Sequence, residues 1–73
     1  MKYNVAILGA TGLVGETIIE ILAERNFPID TLYPLASARS AGDTVSFNGE
    51  DVLVTDAEEF DWSLAHIVMV KYF

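Results

Sequence analysis

Seven residues near the start of the chain, Gly9-Ala10-Thr11-Gly12-Leu13-Val14-Gly15, have the spacing of a phosphate-holding turn. Three glycines fall at every third position, between a β-prone run and a helical one. Gly12 lets the backbone approach a diphosphate, and Gly15 lets the following helix pack close to the strand. Free N–H groups at the helix start then face the phosphate oxygens, and the helix dipole favours the anion. The spacing is G-x-x-G-x-x-G, so Ala10 stands where the commoner G-x-G-x-x-G fingerprint has a glycine. The alternative reading is a tight strand-to-helix turn with no ligand.

A second set, Ser37-Ala38-Arg39-Ser40-Ala41-Gly42, begins 22 positions after Gly15. At about this distance an NAD-binding unit places Asp or Glu on the ribose hydroxyls. Here an arginine stands between two serines, and no acid is present. A carboxylate would repel a 2′-phosphate, whereas a guanidinium fork and hydroxyl donors bind one. Ser37, Arg39 and Ser40 therefore favour NADP over NAD. Other candidates carry less. His66 is the only histidine, with no nucleophile or ligand partner in view. Asp56, Glu58, Glu59 and Asp61 lack a calcium-loop pattern and read as a solvated face. Phe60 and Trp62 read as core rather than as a stacking surface.

The elements that must position these residues follow from periodicity. Tyr3 to Leu8 is short and apolar, as a buried parallel strand is. From Leu13 to Arg25, Val14, Ile18, Ile21 and Leu22 recur at helical spacing, with Glu16, Glu20 and Glu24 opposite. Asn26 and Pro28 end that helix. Thr31 to Ser37 is a second strand, weakened by Pro34, which cannot donate to a ladder. Asn48-Gly49 between Thr44–Phe47 and Glu50–Thr55 predicts a hairpin. Asp56 to Ser63 holds one helical turn, and His66 to Phe73 is a last β-prone run. The expected fold class is α/β: a partial Rossmann-like, doubly wound sheet, β-α-β followed by a hairpin and a further strand.

Composition bounds the function. The 73 residues carry 4 Lys+Arg against 11 Asp+Glu, a formal charge of −7. A basic patch for nucleic acid is not available. With no cysteine, disulfides, thiolate metal sites and cysteine nucleophiles are excluded. No apolar run approaches the ~20 residues that span a membrane, and no signal peptide is seen. The expectation is a cytoplasmic, single-domain chain.

The segments V-A-I-L-G-A-T-G-L-V-G-E, L-A-S-A-R-S-A-G and E-E-F-D-W-S-L-A-H-I together resemble the N-terminal part of bacterial aspartate-semialdehyde dehydrogenase, including its Usg-type paralogues. The resemblance runs from Tyr3 to Ile67. It implies that Thr11, Gly12, Leu13 and Val14 line the NADP diphosphate, and that Arg39 with Ser40 holds the 2′-phosphate; Gly9, Gly15 and Ser37, from the two motifs, complete the expected cofactor-binding set. It also implies the family's reaction, NADPH-dependent reduction of β-aspartyl phosphate to the semialdehyde, toward lysine, threonine and methionine. A relative of N-acetylglutamyl-phosphate reductase is the neighbouring alternative. The chain departs from the family after Ile67, where a Ser-Ala-Gly-Gly-like turn is replaced by Val68-Met69-Val70-Lys71-Tyr72-Phe73. The family's catalytic and dimerisation domain, with its thioester-forming cysteine and acid/base histidine, has no counterpart. The expectation is a truncated cofactor-binding domain, 1–73, inactive by itself. Its apolar Ile67–Phe73 run, with Lys71 as sole gatekeeper, predicts self-association through an open sheet edge.

Overall fold

The computed structural model describes residues 1–70. Its main sheet has four strands in the order β5-β2-β1-β6, every neighbouring pair parallel. The strands are β1 (Tyr3–Leu8), β2 (Ile29–Ala36), β5 (Thr55–Asp56) and β6 (Ile67–Val70). Helix α1 (Leu13–Glu24) links β1 to β2. A separate antiparallel hairpin joins β3 (Thr44–Phe47) to β4 (Glu50–Leu53). The α/β class and the Rossmann-like half sheet are as expected. The chain moves outward from β1 to β2 and β5, then returns to place β6 on the other side of β1. That reversal is the switch point at which open α/β sheets hold ligands, outside the carboxyl ends of the strands.

The core lies between α1 and one face of the sheet. Val5, Ile7, Leu32 and Ala36 come from the strands, Ile19 and Leu22 from the helix, and Val45 and Val54 from the hairpin side. The buried face of the helix matches its apolar spacing in part: Leu22 is buried and Ile18 packs against the core, as expected. Gly15, Ile19 and Leu22 are buried, while Val14 and Ile21 are each 43% exposed. Gly15 sets this rotation. It must face the turn below it, and Ile19 and Leu22 follow at i+4 and i+7 on the same face. Val14 and Ile21 each precede a residue of that stripe by one position and are turned outward. The helix ends in a Schellman arrangement. Asn26 takes a left-handed φ of 53°, its N–H donates to Ala23 O (3.2 Å), and Phe27 N–H donates to Leu22 O (3.1 Å).

Strand β2 starts two residues earlier than expected and ends one earlier, at Ala36. Pro34 is tolerated inside it. Leu35 O accepts from the β1 side and Ala36 O from the β5 side, so by alternation Pro34 faces β5, whose pairing begins only at Leu35. The hairpin forms around Asn48 and Gly49, with φ of 51° and 81°, as a primed turn requires. Its second arm is shorter than expected. At Val54, 1% exposed, the chain dives into the core, and Thr55–Asp56 joins the main sheet as β5. The expected helical turn is reduced to a 3-10 turn, Trp62–Leu64, capped by Asp61. Phe60 is half-buried against Tyr33, but Trp62 is 44% exposed, so it is not a core residue. The last run is a strand over Ile67–Val70, and its continuation through Lys71 to Phe73 lies outside the described residues.

Candidate functional site

The glycine turn leaves the carboxyl end of β1 and crosses toward the end of β2. Gly9 N–H and Ala10 N–H both donate to Leu35 O, at 2.8 and 3.1 Å. Gly9 takes a φ of 83°, a conformation that favours glycine. Ala10 is fully buried and points into the core. Gly15 then closes over the turn. A Cβ built on it would lie 2.3 Å from Gly9 O and 2.8 Å from the Cα and C of Ala10. No side chain can stand there, so this glycine brings the helix start down onto the strand end.

Gly12 is the N-cap residue and offers no side-chain cap. The first intrahelical bond runs from Glu16 N–H to Gly12 O (3.0 Å). The N–H groups of Leu13, Val14 and Gly15 precede it and are the unsatisfied donors of the helix start. Leu13 is 80% exposed and Val14 43%, so this end of the helix faces open space beside the turn. An anion meets the positive end of the helix dipole here, with donors already in place.

The serine-arginine loop arrives at the same place from β2. Ser40 and Ala41 N–H donate back to Ser37 O at 2.9 and 3.1 Å, which makes 37–41 a tight turn. Asp43 N–H donates to Ser40 O (3.1 Å), and Gly42 N–H to Val54 O (3.0 Å), tying the loop to the hairpin. Ser37 and Arg39 are exposed and Ser40 is half-buried. Thr11 Oγ1 donates to Ser40 Oγ at 3.5 Å. Two motifs separated by 29 residues thus meet through their hydroxyls. The turn thus sets backbone donors and glycines, of the kind that suit an anion, beside the Thr11 and Ser40 hydroxyls.

Some features lie apart from this site. A groove of about 290 Å³ lies between α1 and β3, lined by Glu16, Ile19, Glu20, Thr44, Val45 and Ser46. Its two carboxylates, Glu16 and Glu20, disfavour an anion there. Asp61 has its pKa lowered by the Ser63 hydroxyl and then by the Ser63 N–H. That shift belongs to the cap of the 3-10 turn. Among the described residues no group of three or more His, Asp or Glu is placed to hold a metal ion. No helix among them is long and apolar enough to cross a membrane.

Sequence reasoning missed one participant. Leu35 contributes its carbonyl, and backbone groups leave no trace in residue type. Away from the site, His66 stands directly before β6 and accepts a hydrogen bond from Asn4 N–H through Nδ1 at 2.9 Å. It has a definite role in joining β6 to β1.

Comparison with known proteins gives a consistent picture. Residues 4–71 match the model of the semialdehyde dehydrogenase NAD-binding domain. An aspartate-semialdehyde dehydrogenase of Shewanella sp. (strain DB6705) is 65% identical over 66 residues, covering 90% of this chain and 20% of that protein. A USG-1 protein homolog of Azotobacter vinelandii is 49% identical over 65 residues, 89% of this chain and 18% of that protein. The crystal structure of aspartate semialdehyde dehydrogenase II from Vibrio cholerae, complexed with ASA, superposes with a TM-score of 0.94 at 56% identity. The match covers 99% of this chain and 24% of that one. The chain spans about one fifth of the length of the curated relatives it matches.

Proposed function

The chain belongs to the semialdehyde dehydrogenase NAD-binding domain family, and from that premise we propose that it is the NADP-holding portion of an aspartate-semialdehyde dehydrogenase. The observation that carries this reading is the Thr11–Ser40 contact, which brings the glycine turn and the serine-arginine loop to one site. In it, the N–H groups of Leu13 and Val14 hold the diphosphate at the helix start. Gly9, Gly12 and Gly15 keep side chains out of its way. Thr11 and Ser40 orient each other, and Ser37, Arg39 and Ser40 grip the 2′-phosphate. The cofactor, when bound, supplies hydride for reducing an acyl phosphate to an aldehyde. With no cysteine in the sequence, these residues bind and orient the cofactor and supply no thioester chemistry. The reading takes residues 1–73 as one cofactor-binding domain, inactive by itself and working in the cytoplasm.

Calorimetric titration with NADP⁺ and NAD⁺, with Arg39→Ala alongside, tests the proposal. NADP⁺ binds more tightly. Arg39→Ala weakens NADP⁺ by about 1.5–3 kcal/mol, the worth of a charge-assisted hydrogen bond, and leaves NAD⁺ unchanged. Equal affinity for the two nucleotides, or an Arg39→Ala chain that binds as the parent does, overturns it.

A second reading has its own observation. Val68 and Val70 are 45% and 42% exposed on β6, which pairs among the described residues only with β1. A strand of this kind can act by pairing with a second copy of the chain.

A further inference from the structure

The tip of the β3–β4 hairpin is where the sequence sets a glycine directly after an asparagine. Asn48 and Gly49 are both exposed. Among the described residues, neither the Asn48 side-chain amide nor Gly49 N–H has a hydrogen-bond partner. A Cβ built on Gly49 meets nothing within 4 Å, so open space surrounds that peptide nitrogen. The other two asparagines differ on each count. Asn4 Nδ2 donates to Leu64 O at 3.0 Å, and the residue after it is the fully buried Val5 of β1. Asn26 is followed by Phe27, whose N–H donates to Leu22 O at 3.1 Å in the helix cap.

We propose that Asn48 is a site of spontaneous deamidation, converted through a cyclic imide to aspartate and isoaspartate with water as the co-reactant. Gly49 N, its proton taken by solvent base, attacks Asn48 Cγ. A C–N bond forms, the Cγ–Nδ2 bond breaks, and Nδ2 leaves as ammonia. Water then opens the ring. Addition at Cγ breaks the new bond and leaves aspartate. Addition at the Asn48 main-chain carbonyl breaks the original peptide bond, and the chain runs on through Cβ and Cγ as isoaspartate. For either product one water enters and one ammonia leaves, and nothing is oxidised or reduced. A side chain on the following residue hinders the nitrogen and stiffens its backbone, and glycine does neither. Ring closure swings the peptide out of the primed turn, so the reaction runs through transient opening of the hairpin tip, a region of low local stability. Aspartate keeps the turn, because it tolerates the left-handed φ of 51° held here. Isoaspartate adds a main-chain carbon to a two-residue turn whose length sets Phe47 opposite Glu50. The hairpin arms carry Val45 into the core and lead to Val54, which is bonded to Gly42 N–H and Asp43 O. The inference does not depend on which nucleotide is bound.

The test is incubation of the 73-residue chain in mildly alkaline buffer, then peptide mapping by mass spectrometry with electron-transfer fragmentation, which tells isoaspartate from aspartate. Conversion appears at Asn48 and is absent from Asn4 and Asn26. Isoaspartate forms beside aspartate, and the rate rises with pH as solvent base frees Gly49 N. Gly49→Ala loses most of the conversion. Alanine is strained at a φ of 81°, so the two chains are also compared in guanidinium chloride, where the fold no longer enters. There the parent again converts faster than Gly49→Ala. Conversion of Asn4 or Asn26 in the folded chain at the rate of Asn48 overturns the proposal, as does aspartate alone at position 48. Equal rates for parent and Gly49→Ala in denaturant overturn it too. So does an Asn48 that converts in denaturant and survives intact in the folded chain.

Discussion

Gly15→Ala separates two opposed effects, and the structure decides their sign. In an exposed helix interior, replacing glycine by alanine stabilises by about 1 kcal/mol, because glycine loses more backbone freedom on folding. At Gly15 the added methyl meets Gly9 O at 2.3 Å and two backbone atoms of Ala10 at 2.8 Å. These are main-chain atoms with no rotamer to change. Gly9 is fixed by its bond to Leu35 O, as is Ala10. Relief must come from lifting α1 off the turn, which strips contact from Ile19 and Leu22. Overpacking of this kind costs about 1–3 kcal/mol, and a rigid backbone neighbour puts this site at the upper end. After the propensity gain the net loss is about 1–2 kcal/mol. For a domain of this size that lowers Tm by about 4–8 °C per kcal/mol. Thermal unfolding followed by circular dichroism reads it directly. A Gly15→Ala chain as stable as the parent, or more stable, would mean that the close approach of helix and turn is not what holds this end of the fold.

Two further outcomes follow from other parts of the molecule. Asp61 titrates below the ordinary aspartate range because Ser63 hydrogen-bonds its charged form. Its contribution is therefore present at neutral pH and lost as pH falls through the lowered value. Ser63→Ala moves the carboxyl midpoint part of the way back up in a ¹³C NMR titration; an unmoved midpoint removes the Ser63 hydroxyl as the main cause. Sedimentation of the parent chain shows concentration-dependent association, and Val68→Lys, which sets a charge on the exposed face of an edge strand, suppresses it. A sharp monomer at high concentration rules out pairing through β6.

Much of this fold was legible because its signals are local. The Asn48-Gly49 turn, the change of period at Leu13 and the stop at Asn26 each depend on a few adjacent residues, and each is where the sequence puts it. The misplaced features depend on contacts far along the chain. Strand β5 has two residues and exists because Leu35 and Ala36 offer it an edge, although they lie well back along the chain. The buried helix face was misread at Val14 and Ile21 because apolar side chains were counted, whereas the rotation is set by Gly15, which has no side chain to count. The candidate site shows the same division. Its glycines and the serine-arginine loop are visible as motifs, but the carbonyl of Leu35 that ties the turn to β2 is not.

The charge of the molecule limits what such a site can be made of. A net charge of −7 opposes a polyanionic cofactor at long range, although salt screens that repulsion beyond about 8–10 Å. Closer in, Glu16 sits in the first turn of α1 and adds an unfavourable carboxylate near the donors. Capture must therefore come from contacts of hydrogen-bond length. The N–H groups at the helix start meet that condition, since they are directed, already ordered and independent of pH. Arg39 supplies the one full positive charge in the serine-arginine loop, at the place where an NAD-binding unit has an acid. The division of labour is then physical. In the proposed site, backbone donors serve any dinucleotide, and the preference for the phosphorylated one falls to a single side chain. On that proposal, removing Arg39 weakens the phosphorylated nucleotide alone, whereas crowding the turn at Gly15 weakens both.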